Sequence, residues 1–341
     1  MGSGGRRRRA AIAAGFAVSA IPIAVAIDST PAGAVSITVT TTFDTAGDDG
    51  QCSLREAITA ANTNSPSGAA PGECPAGSST ATDTITLAQN TTYDVAPTTN
   101  LPDISDDLVI DGNGSTIDSR KTLRVLSIAP GVTAEIDDLT LTHRYSATSV
   151  TGRGLINRGI TTLRNVTIVD NSEVGFGGGI FNGDDVTGTA ADLTIIDSTI
   201  ENNANIPDGN RVGGGIHNHD RATLTIENST IRNNTADRTG GGISHRGTHL
   251  QIEDSVIEGN RAGTGGGVGV FASPIVVAVP TATLTGVTIV NNEATGGGGI
   301  AAIESTVSIS QSSVLGNRAD HDGGGLFLSQ SNALLDTVVI A

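Results

Sequence analysis

The densest set of reactive side chains in this chain is His217-Asn218-His219-Asp220, followed about one repeat later by His245-Arg246 and His249. Alternate residues of a strand share a face, so His217 and His219 point the same way and could hold a transition metal. Aligning Ile216 with Ile243 sets Asn218 against His245 and His219 against Arg246. Titratable groups then gather within about one strand-pair distance, ~5–7 Å. The spacing offers no third metal ligand. The competing reading is a set of ordinary polar residues at a strand end. His217, His219, Asp220, His245 and Arg246 are therefore weak candidates for a binding site, and no residue is assigned a catalytic role.

The element that would position them is repeated six times: an alternating apolar stretch, an asparagine, then glycines closed by one aliphatic residue. The asparagines are Asn171, Asn203, Asn234, Asn260, Asn292 and Asn317, and the closing residues are Ile180, Ile216, Ile243, Val268, Ile300 and Leu326. Closers follow one another at intervals of 36, 27, 25, 32 and 26 residues. Three positions before each asparagine stand Ile168, Ile200, Ile231, Ile257, Ile289 and Val314; eight before it stand Leu163, Ile195, Ile226, Ile252, Leu284 and Ile309. Period-two alternation with β-branched residues, as in Leu224-Thr225-Ile226 and Ser229-Thr230-Ile231, predicts strands and not helices.

A unit of about 25 residues with three short strands cannot bury its own apolar face, whereas copies stacked ~4.8 Å apart share one core. The sequence therefore predicts an all-β, single-stranded parallel β-helix of nine or ten coils. Within it the asparagine column should be structural, each amide bonding its counterparts on adjacent coils. Glu201, Arg232 and Glu258 fall in one exposed column and should make an ion-pair ladder of little energetic weight.

Composition supports the same picture. Glycine supplies 45 of 341 residues, nearly twice the usual ~7%. Lys121 is the only lysine, and there is no tryptophan. Arg6 to Arg9, the apolar run Ala10 to Ala26 and Ala32-Gly33-Ala34 have the order of a signal peptide, which places cleavage before Val35. Seventeen apolar residues interrupted by Pro22 fall short of the ~20 that span a bilayer, so a membrane anchor is the poorer reading. Loss of residues 1–34 takes the formal charge from −16 to −19, which disfavours nucleic acid and anionic membranes as partners. The two cysteines, Cys52 and Cys74, would then meet an oxidising compartment and are expected to pair.

Cys52 opens the one convincing helix, Cys52 to Asn62. Ser53 and Glu56 form a capping-box pattern, and Leu54, Ala57, Ile58 and Ala61 line one face. Such a helix would cap the exposed strand edges of the first coil. The run Cys-Ser-Leu-Arg-Glu-Ala-Ile at 52–58, with Asp83-Thr84-Ile85-Thr86-Leu87 and the segment Leu108 to Asp118, resembles bacterial secreted proteins with a CSLREA-type N-terminal domain. The Gly-Gly-Gly-Ile units are more loosely similar to repeats of polymorphic outer-membrane proteins. These resemblances imply a right-handed β-helix, secreted or displayed at the cell surface or outer envelope, and carry over no catalytic residues.

The expected organisation is a signal peptide at 1–34, an N-terminal cap at 35–82 and the β-helix at 83–341. Leu334, Asp336 and Val339 extend the columns and predict a further asparagine one residue beyond Ala341, so that the sequence stops in mid-coil. The functional expectation is an exported structural or binding scaffold that contacts an extracellular glycan or surface protein. The alternative is a polysaccharide lyase or glycoside hydrolase. Such enzymes cluster carboxylates, often around Ca²⁺ with an Arg or Lys base. Here Asp184, Asp185, Asp208, Asp220, Asp237, Glu253, Asp254, Asp320 and Asp322 sit mostly singly in different coils. Ca²⁺ would enter only with that alternative, and the residues themselves call for no cofactor.

Overall fold

The computed structural model describes Met1 and residues 33–95, 99–119, 124–143, 153–173, 175–184, 189–205, 212–275 and 278–341. The expected signal peptide falls almost wholly outside these residues. Contacts divide the chain into Met1–Pro31 and Ala32–Ala341, and the second unit is a parallel β-helix.

Each complete coil contributes two adjoining strands, an asparagine turn and a third strand. The strands that open the coils run from Ser36–Thr38 through Asp83–Thr86 and Leu108–Asp118 to Asn332–Asp336, pairing in parallel throughout. The strands that precede the asparagines, such as Thr199–Glu201 and Thr230–Arg232, stack alongside in the same 19-stranded sheet. The third strands build an eight-stranded sheet from Arg124–Ile128 to Leu326–Ser329. Ser36–Thr38 adds a level ahead of the first one expected, because Val39 N–H continues the ladder to Thr86 O at 3.0 Å.

The apolar columns become the core. Leu163, Ile195, Ile226, Ile252, Leu284 and Ile309 stack in register, and so do Ile168, Ile200, Ile231, Ile257, Ile289 and Val314; all twelve are fully buried. The bend between the two ladders is made by a single left-handed residue per coil. Asn165, Asp197, Asn228, Asp254 and Gln311 hold φ between 46° and 52° there. Asn and Asp tolerate that conformation because their short polar side chains bond locally.

The last coil corrects the expected register by one residue. Leu335, not Leu334, pairs with Ile309, and Ile340, not Val339, pairs with Val314. Two adjacent leucines satisfy the apolar column equally well. The turn decides between them, since Thr337 takes the left-handed position (φ 56°) that Gln311 occupies one coil earlier.

The capping helix spans Leu54–Thr63 with Ser53 at its N-cap. Ser53 Oγ accepts from Glu56 N–H at 3.2 Å, and Glu56 Oε2 accepts from Ser53 N–H at 3.0 Å. Leu54, Ala57, Ile58 and Ala61 are buried in the common core, and Cys52 and Cys74 form a disulfide. Arg55 ties the helix to the coil beneath it. Its guanidinium grips Asp44 through Nε and Nη2 at 2.7 and 2.6 Å and donates from Nη1 to Asn100 O at 2.6 Å.

Candidate functional site

The asparagine column forms a continuous amide ladder. At Asn234, Oδ1 accepts from the backbone N–H and Nδ2 of Asn203 at 2.9 and 3.0 Å. Its Nδ2 donates onward to Asn260 Oδ1 at 3.0 Å and back to Ile200 O at 2.9 Å. The same pattern joins Asn171 to Asn203, Asn260 to Asn292 and Asn292 to Asn317. Asn171, Asn203, Asn234, Asn260 and Asn292 are buried, and Asn317 is half-buried. The column therefore satisfies turn donors that no strand partner reaches.

Two further ladders were not anticipated. Five positions before the asparagines, Ser198, Ser229 and Ser255 each accept the N–H of the residue one coil earlier at 3.0 Å and donate to their own strand's carbonyl. A second amide stack runs Asn157, Asn182, Asn218. Asn157 Nδ2 donates to Asn182 Oδ1 at 2.8 Å, and Asn182 Nδ2 donates to Asn218 Oδ1 at 2.6 Å. This stack ends on His245.

The register expected for the histidines is present, but their side chains part company. Asn218 pairs with His245 and His217 with Ser244. Asn218 and His245 share the inward face of Ile216 and Ile243, where Asn218 Nδ2 lies 2.8 Å from His245 Nδ1. Nδ1 must accept there, which puts the ring proton on Nε2. Burial, followed by the charge of His249 and opposed by a backbone bond to Thr281, lowers the His245 pKa to about 3. The imidazole is neutral at ordinary pH and substitutes for the next asparagine of the stack.

This makes His245 a measurable acid-sensitive point. The unfolded ring protonates near pH 6.5 and the folded ring does not, so the unfolded state binds the extra proton and stability falls as pH drops below about 6.5. His245→Asn should extend the amide stack. Relative to it, the parent protein should lose about 2 kcal/mol between pH 7 and pH 5. Urea unfolding of both proteins at the two pH values is the check, and parallel pH profiles would refute the assignment.

His217 and His219 lie on the opposite face. Their ring centroids are 5.5 Å apart, and His217 stacks on Phe176 at 5.3 Å and approaches Phe181 at 5.9 Å. His217 is fully buried within this aromatic group. Asp220 acts on Arg246 through its charge and not through a hydrogen bond from Nε: burial lowers the guanidinium pKa, the Asp220 charge opposes this, and the Arg238 charge adds to it. The five candidates thus fall into an inward hydrogen-bond terminus, an aromatic packing group and two charges, Asp220 and Arg246, coupled only through their field. Among the described residues, no three His, Cys, Asp or Glu side chains are placed to share a metal ion.

No family model, curated protein or solved structure matches this chain. Function is therefore read from its surfaces. The outward positions between the core residues of the coil-opening strands are Thr162, Thr194, Thr225, Gln251, Thr283 and Ser308, all half-exposed and in register. They line a flat face with one hydrogen-bonding side chain per coil. Beside the asparagine turn, an open cleft of about 300 Å³ is lined by Asn205, Thr235, Asp237, Arg261 and Thr295 among others. The predicted charge column is present in register, and Arg232 Nε reaches Glu201 Oε2 at 2.6 Å. Among the described residues no helix is long and apolar enough to cross a membrane.

Proposed function

We propose that this protein is an exported β-helical scaffold whose ruled polar face contacts a neutral, linear extracellular glycan. The column Thr162, Thr194, Thr225, Gln251, Thr283 and Ser308 carries this reading. Its members recur at the ~4.8 Å strand spacing over six coils, so an extended polymer lying along the axis meets a hydrogen-bonding group at every step. A formal charge of −16, or −19 without residues 1–34, favours neutral over acidic chains. Export is supported by the order of residues 6–34, by the Cys52–Cys74 disulfide and by a first strand that starts at Ser36. The Cys-Ser-Leu-Arg-Glu-Ala-Ile run supports a place among secreted proteins with a CSLREA-type N-terminal domain.

The test is co-sedimentation of the chain from Val35 with insoluble neutral and acidic polysaccharides. Thr225→Lys with Thr283→Lys should weaken retention on the neutral polymer at least tenfold, while His219→Ala and Asp220→Asn should leave it unchanged. New reducing ends or unsaturated products that disappear in the His219 or Asp220 variants would overturn the reading in favour of a glycan-cleaving enzyme.

A further inference from the structure

Asp83 opens the second strand of the stack with a carboxylate that is 2% exposed. Its bonds come from amides: Ser78 N–H lies 3.0 Å from Oδ1 and 2.9 Å from Oδ2, and Val35 N–H donates to Oδ1 at 3.2 Å. No Lys, Arg or His side chain among the described residues pairs with it. A buried carboxylate without a cation is costly, because it gives up hydration and receives only dipoles in return. Val35 is the residue that the leader motif makes the first of the exported chain.

We propose that removal of residues 1–34 leaves the Val35 α-ammonium paired with the Asp83 carboxylate, so that leader cleavage locks the first strand onto the second. The inference rests on the signal-peptide reading above. The processing peptidase of the export machinery adds water across the Ala34–Val35 bond. The C–N bond breaks, Ala34 leaves with a carboxylate, and Val35 keeps its nitrogen, now bearing three protons and a positive charge. That nitrogen already lies 3.2 Å from Oδ1, so the charge arises in place. A neutral N–H···O⁻ bond becomes a charge-assisted one, the stronger class. The lock acts on the first strand of the stack, beside the capping helix. Val35 O accepts from Thr84 N–H at 2.9 Å, and Ile37 pairs with Ile85 directly beneath it.

The experiment compares two forms of the compact unit, both released from a fusion by scarless proteolysis. One starts at Val35 and the other carries Gly-Ser ahead of it, which keeps the Val35 amide N–H but moves the ammonium away. Hydrogen exchange at the Thr84 and Val39 amides should be about tenfold slower in the first form. Asp83→Asn should erase the difference. Equal exchange in the two forms overturns the pairing even if the Asp83 variant fails to fold, and so does a difference that survives Asp83→Asn. Mass spectrometry of the exported protein reads the other premise separately, since an N-terminus other than Val35 overturns the leader boundary whatever the exchange rates show.

Discussion

Asn234→Leu should destabilise the protein by about 4 kcal/mol, although the exchange is close in size and adds apolar surface to a buried site. The side chain makes four bonds: it accepts from Asn203 N–H and Nδ2, and it donates to Ile200 O and Asn260 Oδ1. Leucine replaces none of them. Asn203 N–H loses its acceptor and Ile200 O loses a donor inside a turn that water does not reach, while Asn203 Nδ2 keeps Ile168 O and Asn260 Oδ1 keeps the backbone N–H of residue 234. Each buried group left short costs about 1–3 kcal/mol before relaxation. Asn234→Asp separates two parts of the argument. A carboxylate still accepts from Asn203, but it cannot donate to Ile200 O or Asn260 Oδ1, and it brings a buried charge. Both variants should therefore lose stability, with the aspartate variant recovering as pH falls and the leucine variant not. Urea denaturation at pH 7 and pH 4.5, with each variant referred to the parent at the same pH, measures this. A leucine variant within 1 kcal/mol of the parent would mean that the ladder is incidental to stability. Because each coil contacts only its neighbours, hydrogen exchange should rise first in the coils of Asn203 and Asn260.

Most of the fold was legible because stacking turns sequence columns into spatial ones. The twelve apolar positions, the asparagine column and the Glu201–Arg232 pair are each a single residue type or charge pattern recurring at a fixed offset. What escaped had weaker recurrence. The serine column is interrupted by Val166 and Val287, so it reads as ordinary polar alternation until Ser198, Ser229 and Ser255 are seen accepting neighbouring N–H groups. The second amide stack has only three asparagines, Asn157, Asn182 and Asn218, and ends on a different residue type at His245. That ending drew His245 into the candidate site on its chemistry, when its position makes it a substitute for asparagine. Alternation already contained the separation, since His217 is one residue removed from the Asn218–His245 pair and so faces the other way. Adjacent Leu334 and Leu335 defeat column counting altogether, and only the left-handed turn at Thr337 sets their register.

The glycine runs carry the other large effect, and they separate two reasons for glycine that sequence alone merges. Gly241 has no left-handed φ; it is glycine because the next coil leaves no room. A Cβ there would lie 2.5 Å from Arg261 O and Gly266 O and 2.6 Å from Arg261 C, all of them backbone atoms that strand pairing holds in place. Gly241→Ala should open the spacing between adjacent coils, breaking the Gly241 N–H to Gly265 O and Gly242 N–H to Gly266 O bonds of 3.1 Å, at a cost of about 4 kcal/mol or more. Gly131 represents the second reason alone. Its φ is 80°, but nothing lies within 4 Å of an added Cβ, so Gly131→Ala should cost only about 1 kcal/mol. Gly296 has neither constraint: its φ is ordinary and the nearest atom is Asp322 O at 4.0 Å. Gly296→Ala should be neutral, or stabilise by about 0.5 kcal/mol through the unfolded chain. Thermal and urea unfolding of the three variants should rank them in that order. If Gly241→Ala proved as mild as Gly131→Ala, the coils would have to be able to slide apart there, and close backbone approach would not be why each repeat ends in glycines.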